Sequence, residues 1–196
     1  MDSFETLVEE VRRCQACAPD LPHGTRPVFQ TSPTARLLIA SQAPGSRVHA
    51  SGIPFEDRSG DRLSAWTGLS PKQFYGRQMV AILPMGFCYP GRGACGDAPP
   101  RRECARLWRK SLLAQKPEIR LTLLVGSYAQ TDALGPGKVE DRVRRYRDYL
   151  PEYFALPHPS WRSQLWIERN PWFEADVLPT LRSQVEQALA KVESDG

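Results

Sequence analysis

The chain has 196 residues, of which 41% are hydrophobic, and it carries a formal net charge of +4. This length and composition allow one domain with a substantial core, which we expect to span residues 1–196. No stretch approaches the roughly 18 consecutive apolar residues of a membrane span, and the acidic, amphipathic N-terminus differs from a targeting signal. We therefore expect a cytoplasmic protein that makes no membrane contact.

The first predicted element is a helix from about Ser3 to Arg13, because apolar residues recur there at helical spacing. It leads into Cys14 and Cys17, which form a C-x-x-C pair. Without a secretory signal we expect no disulfide framework, since cytosolic thiols are kept reduced. Buried free thiols and metal ligands are the alternatives, and composition does not choose between zinc and an iron–sulfur cluster.

Four apolar runs follow, each with Gly or Pro within a few residues of its end: Arg36–Ala40, Met79–Leu83, Leu121–Val125 and Tyr153–Leu156. The segments between them are long enough for helical crossovers, which is the pattern of a parallel sheet covered by helices. Ligands of such sheets bind beyond the carboxyl ends of the strands. The residues that directly follow these runs are therefore the first place to look for a functional site.

The segment Cys88–Arg102, after the second run, is rich in Gly, Pro and Arg. We expect a long loop there that is ordered or anchored by a metal. Cys88 begins this segment, Cys95 lies within it and Cys104 follows it. These cysteines extend the set of possible metal ligands begun by the C-x-x-C pair.

The last predicted element is a helix that covers the sheet. It begins at Asn170, a favoured N-cap residue, followed by Pro171 at the first helical position, and continues to about Lys191. We expect Pro179 to kink or restart this helix, because proline has no backbone N–H.

Two short motifs stand directly after predicted strands. Residues 41–45 read Ser-Gln-Ala-Pro-Gly, and residues 156–160 read Leu-Pro-His-Pro-Ser, which includes His158, one of three histidines. With their order and separation, the motifs resemble the two signature motifs of the uracil-DNA glycosylase superfamily. The first is closest to the G-E-A-P-G form of the iron–sulfur-containing families, with Gln42 in place of glutamate, so the chain resembles a divergent member. The segment Gly52–Phe55 resembles the family's G-x-P-F segment.

This resemblance implies a three-layer α/β/α fold with a central four-stranded parallel sheet and with DNA across its carboxyl edge. It implies a monofunctional DNA glycosylase that flips uracil out of DNA and hydrolyses the N-glycosidic bond, leaving an abasic site for base excision repair. His158 would donate to the uracil O2 as negative charge develops on the departing base, and Phe55 would stack on the base. Ser160 would contact the substrate, and Arg162, helped by Trp161, would fill the gap in the DNA stack.

The group that activates the attacking water is not given by the resemblance, because relatives use Asp, Asn or Glu in the first motif. We expect Gln42 to orient the water through its carbonyl oxygen. Asp57, on the next loop, is the candidate catalytic carboxylate, although it could equally be a solvated loop charge, as could Glu56 and Asp61. The other predicted substrate-binding positions follow Gln42 directly: Ala43, Pro44 and Gly45.

An asparagine that reads the uracil edge is expected at the end of the second strand, where this chain has residues 83–86, Leu-Pro-Met-Gly. This departure keeps two alternatives open. The first is a glycosylase for another deaminated base, such as hypoxanthine or xanthine. The second is a catalytically weak protein that binds damaged or abasic DNA. No lysine adjoins either motif, which argues against a Schiff base and strand cleavage.

The spacing of four cysteines matches the ligand pattern of the cluster-bearing families. By that resemblance, Cys14, Cys17, Cys88 and Cys104 would hold a [4Fe-4S] cluster, while Cys95 would be free. Zinc, or no metal, is the alternative. The implied partner is uracil-containing DNA, and we expect a monomer that associates with the nucleoid through DNA.

Overall fold

A computed structural model describes residues 3–94, 96–115 and 118–190 of the chain. Its strands are β1 (Leu37–Ala40), β2 (Val80–Ile82), β3 (Arg92–Gly93), β4 (Gly96–Asp97), β5 (Leu121–Val125) and β6 (Tyr153–Leu156). The central sheet has four strands in the order β2-β1-β5-β6, and every neighbouring pair is parallel. The four predicted apolar runs are these four strands. The antiparallel pair β3–β4 forms a separate hairpin.

Helices connect and cover the strands. The α-helices are α1 (Ser3–Arg12), α2 (Ser46–Ser51), α3 (Arg58–Thr67), α4 (Pro71–Phe74), α5 (Lys110–Ala114), α6 (Gly126–Leu134), α7 (Val139–Arg144), α8 (Gln164–Arg169) and α9 (Leu178–Leu189). Shorter 3₁₀ or π segments are Ala18–Asp20, Ala105–Arg109, Tyr146–Tyr149, Trp161–Ser163 and Phe173–Val177. In the part of the chain that the structure describes, no helix combines the length and apolarity that crossing a membrane requires.

Both faces of the sheet are buried, which explains why its strands read as continuous apolar runs. On one face, Leu37 and Ile39 of β1 belong to a core with Leu63 of α3 and Leu181 of α9. On the other face, Leu38 packs in a cluster that includes residues of α1 and α5. Helices therefore cover the sheet on both sides. The predicted three-layer α/β/α fold with a four-stranded parallel sheet is confirmed.

The closing helix begins next to its predicted start, because residues 172–189 are helical without a break and Phe173 N donates to Asn170 O at 2.9 Å. The Asn170 side chain differs from its prediction. Its amide donates to Trp166 O at 2.7 Å, and its Oδ1 accepts from Arg144 and Trp172 at 3.1 and 2.9 Å. These partners hold the side chain, so it does not cap the helix. The predicted end at Lys191 lies outside the described residues.

The closing helix departs from regular α-helix just before Pro179, the residue predicted to kink or restart it. The π-helical segment Phe173–Val177 comes directly before α9, and the N–H of Leu178 donates to Phe173 O, five residues earlier. Pro179 lacks an N–H, and the wider π-helical turn just before it is the local departure from α-helix at this point. The backbone of Val177 and Leu178 keeps right-handed helical angles, so the helix continues through Pro179 instead of being restarted.

Candidate functional site

An open cavity of about 810 Å³ lies at the carboxyl edge of the sheet. Residues that follow β1, β2, β5 and β6 line it, as expected for a ligand site of a parallel sheet. All nine residues that the sequence assigned to catalysis or substrate binding line this cavity: Gln42, Ala43, Pro44, Gly45, Phe55, Asp57, His158, Ser160 and Arg162. The fold therefore brings together two motifs separated by more than a hundred residues of chain.

The first motif forms the loop after β1, and backbone hydrogen bonds hold its shape. Met85 N donates to Ser41 O at 2.8 Å, and Gly86 N donates to Gln42 O at 3.0 Å. The loop after β2 is therefore fixed against the loop after β1. Gln42 is partly buried in the cavity wall. Its side chain can present both an amide N–H and a carbonyl oxygen to a ligand or a water molecule.

His158 follows β6 directly and lies in the cavity wall, partly buried. Its carbonyl oxygen accepts a hydrogen bond from Ser163 Oγ at 2.5 Å. Gly126, the first residue of α6, has a φ of +82°, and a Cβ there would lie 3.4 Å from His158 Cβ. Glycine at this position thus meets a backbone requirement and leaves room for the histidine.

The charge state of His158 follows from its surroundings. Burial lowers its pKa below the ordinary value of 6.5, and the nearby carboxylates of Asp57 and Asp97 oppose this shift. Burial is the larger effect. The imidazole is therefore neutral at pH 7, and it can donate one N–H to a developing negative charge without first carrying a positive charge.

Phe55 has a backbone φ of +59°, an unusual conformation for a residue other than glycine. Its carbonyl oxygen accepts from Asp57 N at 2.8 Å and from Tyr75 OH at 3.2 Å. Gly60 passes so close that a Cβ there would lie 1.7 Å from Phe55 O. The ring lines the cavity and also meets Phe74 edge-to-face at 6.2 Å, so packing fixes its position. Strained backbone of this kind persists only where its surroundings hold it.

Asp57 has a structural role in addition to its place in the cavity wall. It is the N-cap of α3, and its Oδ1 accepts from Ser59 N at 2.9 Å and Gly60 N at 3.0 Å. Its Oδ2 lies 3.9 Å from the position that a Cβ on Gly45 would occupy. The carboxylate thus caps the helix with one oxygen and faces the first motif with the other.

Asp97 was missed by the sequence reasoning. It lies in β4, lines the cavity, and places its Oδ2 3.6 Å from the same Cβ position at Gly45. The β3–β4 hairpin, in which Arg92 pairs with Asp97, brings it there from the segment predicted as a loop. The repeated Gly in residues 92–97, Arg-Gly-Ala-Cys-Gly-Asp, is a hairpin signal that could have pointed to it.

The second motif continues into the rim of the cavity. Ser160 O accepts from Arg62 at 2.9 Å, which ties the motif to α3. Trp161 is 78% exposed although it is aromatic, and the Arg162 guanidinium lies 5.7 Å from the centre of its ring. Arg162 also packs on the hairpin, because a Cβ on Gly96 would lie 2.9 Å from one of its nitrogens. The rim therefore presents a cation and an exposed ring beside the cavity.

Pro84, just after β2, lines the cavity. It lies in residues 83–86, where the resemblance led us to expect an asparagine and the sequence has none. Tyr128 of α6, which follows β5, also lines the cavity and is 38% exposed. The sequence reasoning did not single it out. Its phenol is a hydrogen-bonding group that could contact the edge of a bound base.

A second, small cavity is lined by all four cysteines assigned to metal binding: Cys14, Cys17, Cys88 and Cys104. All four are free thiols. Leu21, Phe87 and Trp108 supply apolar walls. Burial raises the pKa of Cys88 to about 12 when the thiols stand alone. Cys95 lies outside the described residues.

The donor set at this second cavity is four cysteine thiols, which suits either zinc or an iron–sulfur cluster. Trp108 Nε1 donates to Cys14 Sγ at 3.1 Å, and Phe87 N donates to Cys104 Sγ at 3.4 Å. Such N–H···S bonds and apolar walls are the surroundings that tune iron–sulfur clusters. Over residues 3–94, 96–115 and 118–190, no group of three or more His, Cys, Asp or Glu side chains is arranged to hold a metal ion.

The chain matches a known family. The family model described as the uracil DNA glycosylase superfamily matches residues 28–182. The matched segment contains all four strands of the central sheet and both motifs. Two of the four cysteines, Cys14 and Cys17, precede it.

Proposed function

The chain belongs to the uracil DNA glycosylase superfamily, and from this premise we propose that it removes uracil from DNA by hydrolysis. Membership supports a DNA glycosylase-type function. The proposed enzyme flips uracil out of the helix, breaks the N-glycosidic bond and leaves an abasic site, which starts base excision repair. The observation that carries the proposal is the convergence of both motifs on one cavity, with His158 and Gln42 in its wall.

Extrusion of the base costs a few kcal/mol, which the pocket must recover by stacking and hydrogen bonding. The ring of Phe55 is the proposed stacking surface, because its conformation and its contact with Phe74 hold it at the cavity wall. The exposed Trp161 and the Arg162 guanidinium are proposed to occupy the space that the base leaves. Their position on the rim supports this role.

Bond cleavage produces a sugar with positive charge and a base with negative charge. A neutral His158 is proposed to donate its N–H to the base oxygen, because this interaction is stronger in the transition state than with the bound substrate. The lowered pKa of His158 supports a neutral donor at pH 7. Ser160 and the backbone from Ala43 to Gly45 line the same cavity and are proposed to contact the substrate.

Water must attack the sugar from the same cavity. We propose that the carbonyl oxygen of Gln42 orients this water, and that the Asp57 carboxylate contributes negative charge that favours the sugar cation. The two N–H groups that bind Asp57 Oδ1 fix this charge in place. Among the described residues that line the cavity there is no lysine, which supports hydrolysis without a Schiff base.

A second candidate substrate is another deaminated base, such as hypoxanthine or xanthine. The observation that favours it is Pro84, which lines the cavity without a side-chain amide. Without an amide to read one base edge, recognition would depend on backbone groups and on neighbours such as Tyr128. Such a site discriminates less strongly between bases.

We also propose that Cys14, Cys17, Cys88 and Cys104 hold a [4Fe-4S] cluster. Their shared cavity, its apolar walls and the N–H donors to two sulfurs support this. When bound, such a cluster would join the N-terminal C-x-x-C pair to the central segment. Zinc at the same thiols is the competing assignment.

The proposed function is tested by release of free base from labelled oligonucleotides that contain uracil, hypoxanthine, xanthine or an abasic site. Wild-type protein is compared with His158→Ala and Gln42→Ala under single-turnover conditions. Release of uracil by wild type and its loss in His158→Ala is the expected result. If only hypoxanthine or xanthine is released, that base is the substrate in place of uracil. If the protein binds tightly but releases no base, its function is recognition of damaged DNA and not catalysis.

A further inference from the structure

The cavity contains a second carboxylate whose position is independent of the first motif. Asp97 reaches it from the β3–β4 hairpin, whereas Asp57 reaches it from the N-terminus of α3. The Oδ2 atoms lie 3.6 and 3.9 Å from one point, the position of a Cβ on Gly45. Two carboxylates from separate elements thus face the same few ångströms of the first motif, at Gly45.

Asp97 is held in orientation although it is exposed to the cavity. The hydroxyl of Tyr89 donates to Asp97 Oδ1 at 3.4 Å. Tyr89 is only 3% exposed, and its ring stacks on His23 at 5.2 Å and meets His49 at 5.9 Å. Packing against the two histidine rings therefore fixes the Tyr89 phenol, and its hydrogen bond orients the Asp97 carboxylate. Oδ2 is the oxygen that faces Gly45.

The two carboxylates differ in what else they do. Asp57 Oδ1 accepts two backbone N–H bonds and caps α3, so its side chain is tied to the helix. Asp97 accepts one long hydrogen bond from a side chain. In both side chains Oδ2 is the oxygen that faces Gly45. Asp57 is the N-cap of α3, whereas Asp97 lies on a hairpin and takes no part in helix capping.

We propose that Asp97 is the catalytic carboxylate that activates the attacking water, with Tyr89 as its positioning residue. This deepens the proposed function and rests on it. In the step, the water oxygen forms a bond to the sugar C1′ and the bond from C1′ to the base nitrogen breaks, with its electron pair passing to the base. The water proton passes to Asp97 and is then released to solvent, from which the base anion takes one proton. The charge of Asp97 also favours the positive sugar before the water attacks.

The test compares Asp97→Asn and Asp97→Ala with wild type on the oligonucleotide from which wild type releases base. Single-turnover release should fall about 10²-fold or more in both variants, the effect typical of a lost general base. Affinity for an oligonucleotide with an abasic-site analogue should stay within about threefold, because the carboxylate acts on water. Added formate should restore release by Asp97→Ala, since it can supply a carboxylate in the vacated space.

Glu56→Gln is the matched control, because Glu56 is an exposed carboxylate on the loop that contains Phe55 and Asp57. It should release base at the wild-type rate. Tyr89→Phe keeps the ring packing and removes the hydroxyl, so it should slow release without changing thermal stability, and Tyr89→Phe/Asp97→Asn should be no slower than Asp97→Asn alone.

Two failures are distinguishable. If wild type releases base and Asp97→Asn does so at a similar rate, or formate leaves Asp97→Ala unchanged, the assignment of Asp97 is overturned while the glycosylase function stands. If wild type releases no base from any of the oligonucleotides, the proposed function itself fails, and the role of Asp97 fails with it.

Discussion

The two cavities of this molecule contrast in construction. The cavity at the sheet edge is open and is formed largely by residues that directly follow strands, among them Gln42 and His158. The cysteine cavity is small, has mainly apolar walls and collects thiols from the N-terminal C-x-x-C pair and from the central segment. The strand ends therefore place the two motifs in one cavity, whereas the four thiols lie on segments outside the central sheet.

The central segment connects the two cavities. Cys88 and Cys104 line the cysteine cavity, and between them the β3–β4 hairpin carries Asp97 into the wall of the larger one. We nevertheless expect substitutions in the two cavities to affect different properties of the protein. Changes in the first should alter base release and leave metal content unchanged, whereas changes in the second should alter metal content and stability together.

The largest expected effect is that of His158→Ala on base release. Removing one donor to a developing anion typically costs 10²- to 10³-fold in rate, and we expect about that loss. Single-turnover release measures the effect. Metal content should stay at the wild-type level. A loss of metal in this variant would contradict the expectation that the two cavities respond independently to substitution.

Cys88→Ser tests the other cavity. Anaerobically purified wild type should be brown, with iron and sulfide in about equal amounts, and the variant should lose the visible absorbance because one of four thiolates is missing. Cys95→Ser, which alters the cysteine that the resemblance leaves unused, should keep it. Colourless wild type that contains zinc would contradict the cluster assignment.

Gly60→Ala probes the support of Phe55. A Cβ at this position would lie 1.7 Å from Phe55 O, so the backbone must move. We expect a loss of about 1–3 kcal/mol in the free energy of unfolding, measured in urea. Gly93→Ala is the control, because a Cβ there would meet its nearest neighbour at an ordinary 3.5 Å. Equal stability of the two variants would show that the Phe55 loop is not held as described.

Asp57→Ala distinguishes the proposed role of Asp57 from that of Asp97. Loss of the N-cap should cost about 1 kcal/mol of unfolding free energy. Base release should fall less than in Asp97→Asn, because Asp57 contributes charge and not proton transfer. The opposite order of rates, measured on the same oligonucleotide, would assign the base to Asp57.

The smallest expected effect is a pH dependence of stability. Burial lowers the pKa of His158 in the folded protein below its ordinary 6.5, so the unfolded chain binds more protons as pH falls through that value. Stability from this group is fully present above pH 6.5 and is lost as pH falls below it. The difference in unfolding free energy between wild type and His158→Gln should therefore shrink below pH 6.5. His49, whose pKa burial also lowers, is present in both proteins and cancels. A constant difference would contradict a buried, neutral His158.

The predictions from sequence succeeded where local pattern is decisive. The apolar run at Leu37–Ala40 became a strand because a sheet buried on both faces requires continuous apolar residues. The Asn170 side chain shows the limit of local pattern, because its oxygen accepts from Arg144, which lies 26 residues earlier in the chain, instead of capping the helix. Asp97 shows a second limit, because a hairpin of two-residue strands has almost no periodicity to read.

The sequence by itself determined the parallel sheet, the positions of the two motifs at its carboxyl edge and the four cysteines that could share one site. These follow from residue type and spacing, which act over a few residues. Only the tertiary structure decided that Asp57 caps a helix, that Asp97 joins the cavity and that burial keeps His158 neutral. Each of these depends on which groups surround a side chain in space, and the free energy of burying or pairing a charge is set by those neighbours.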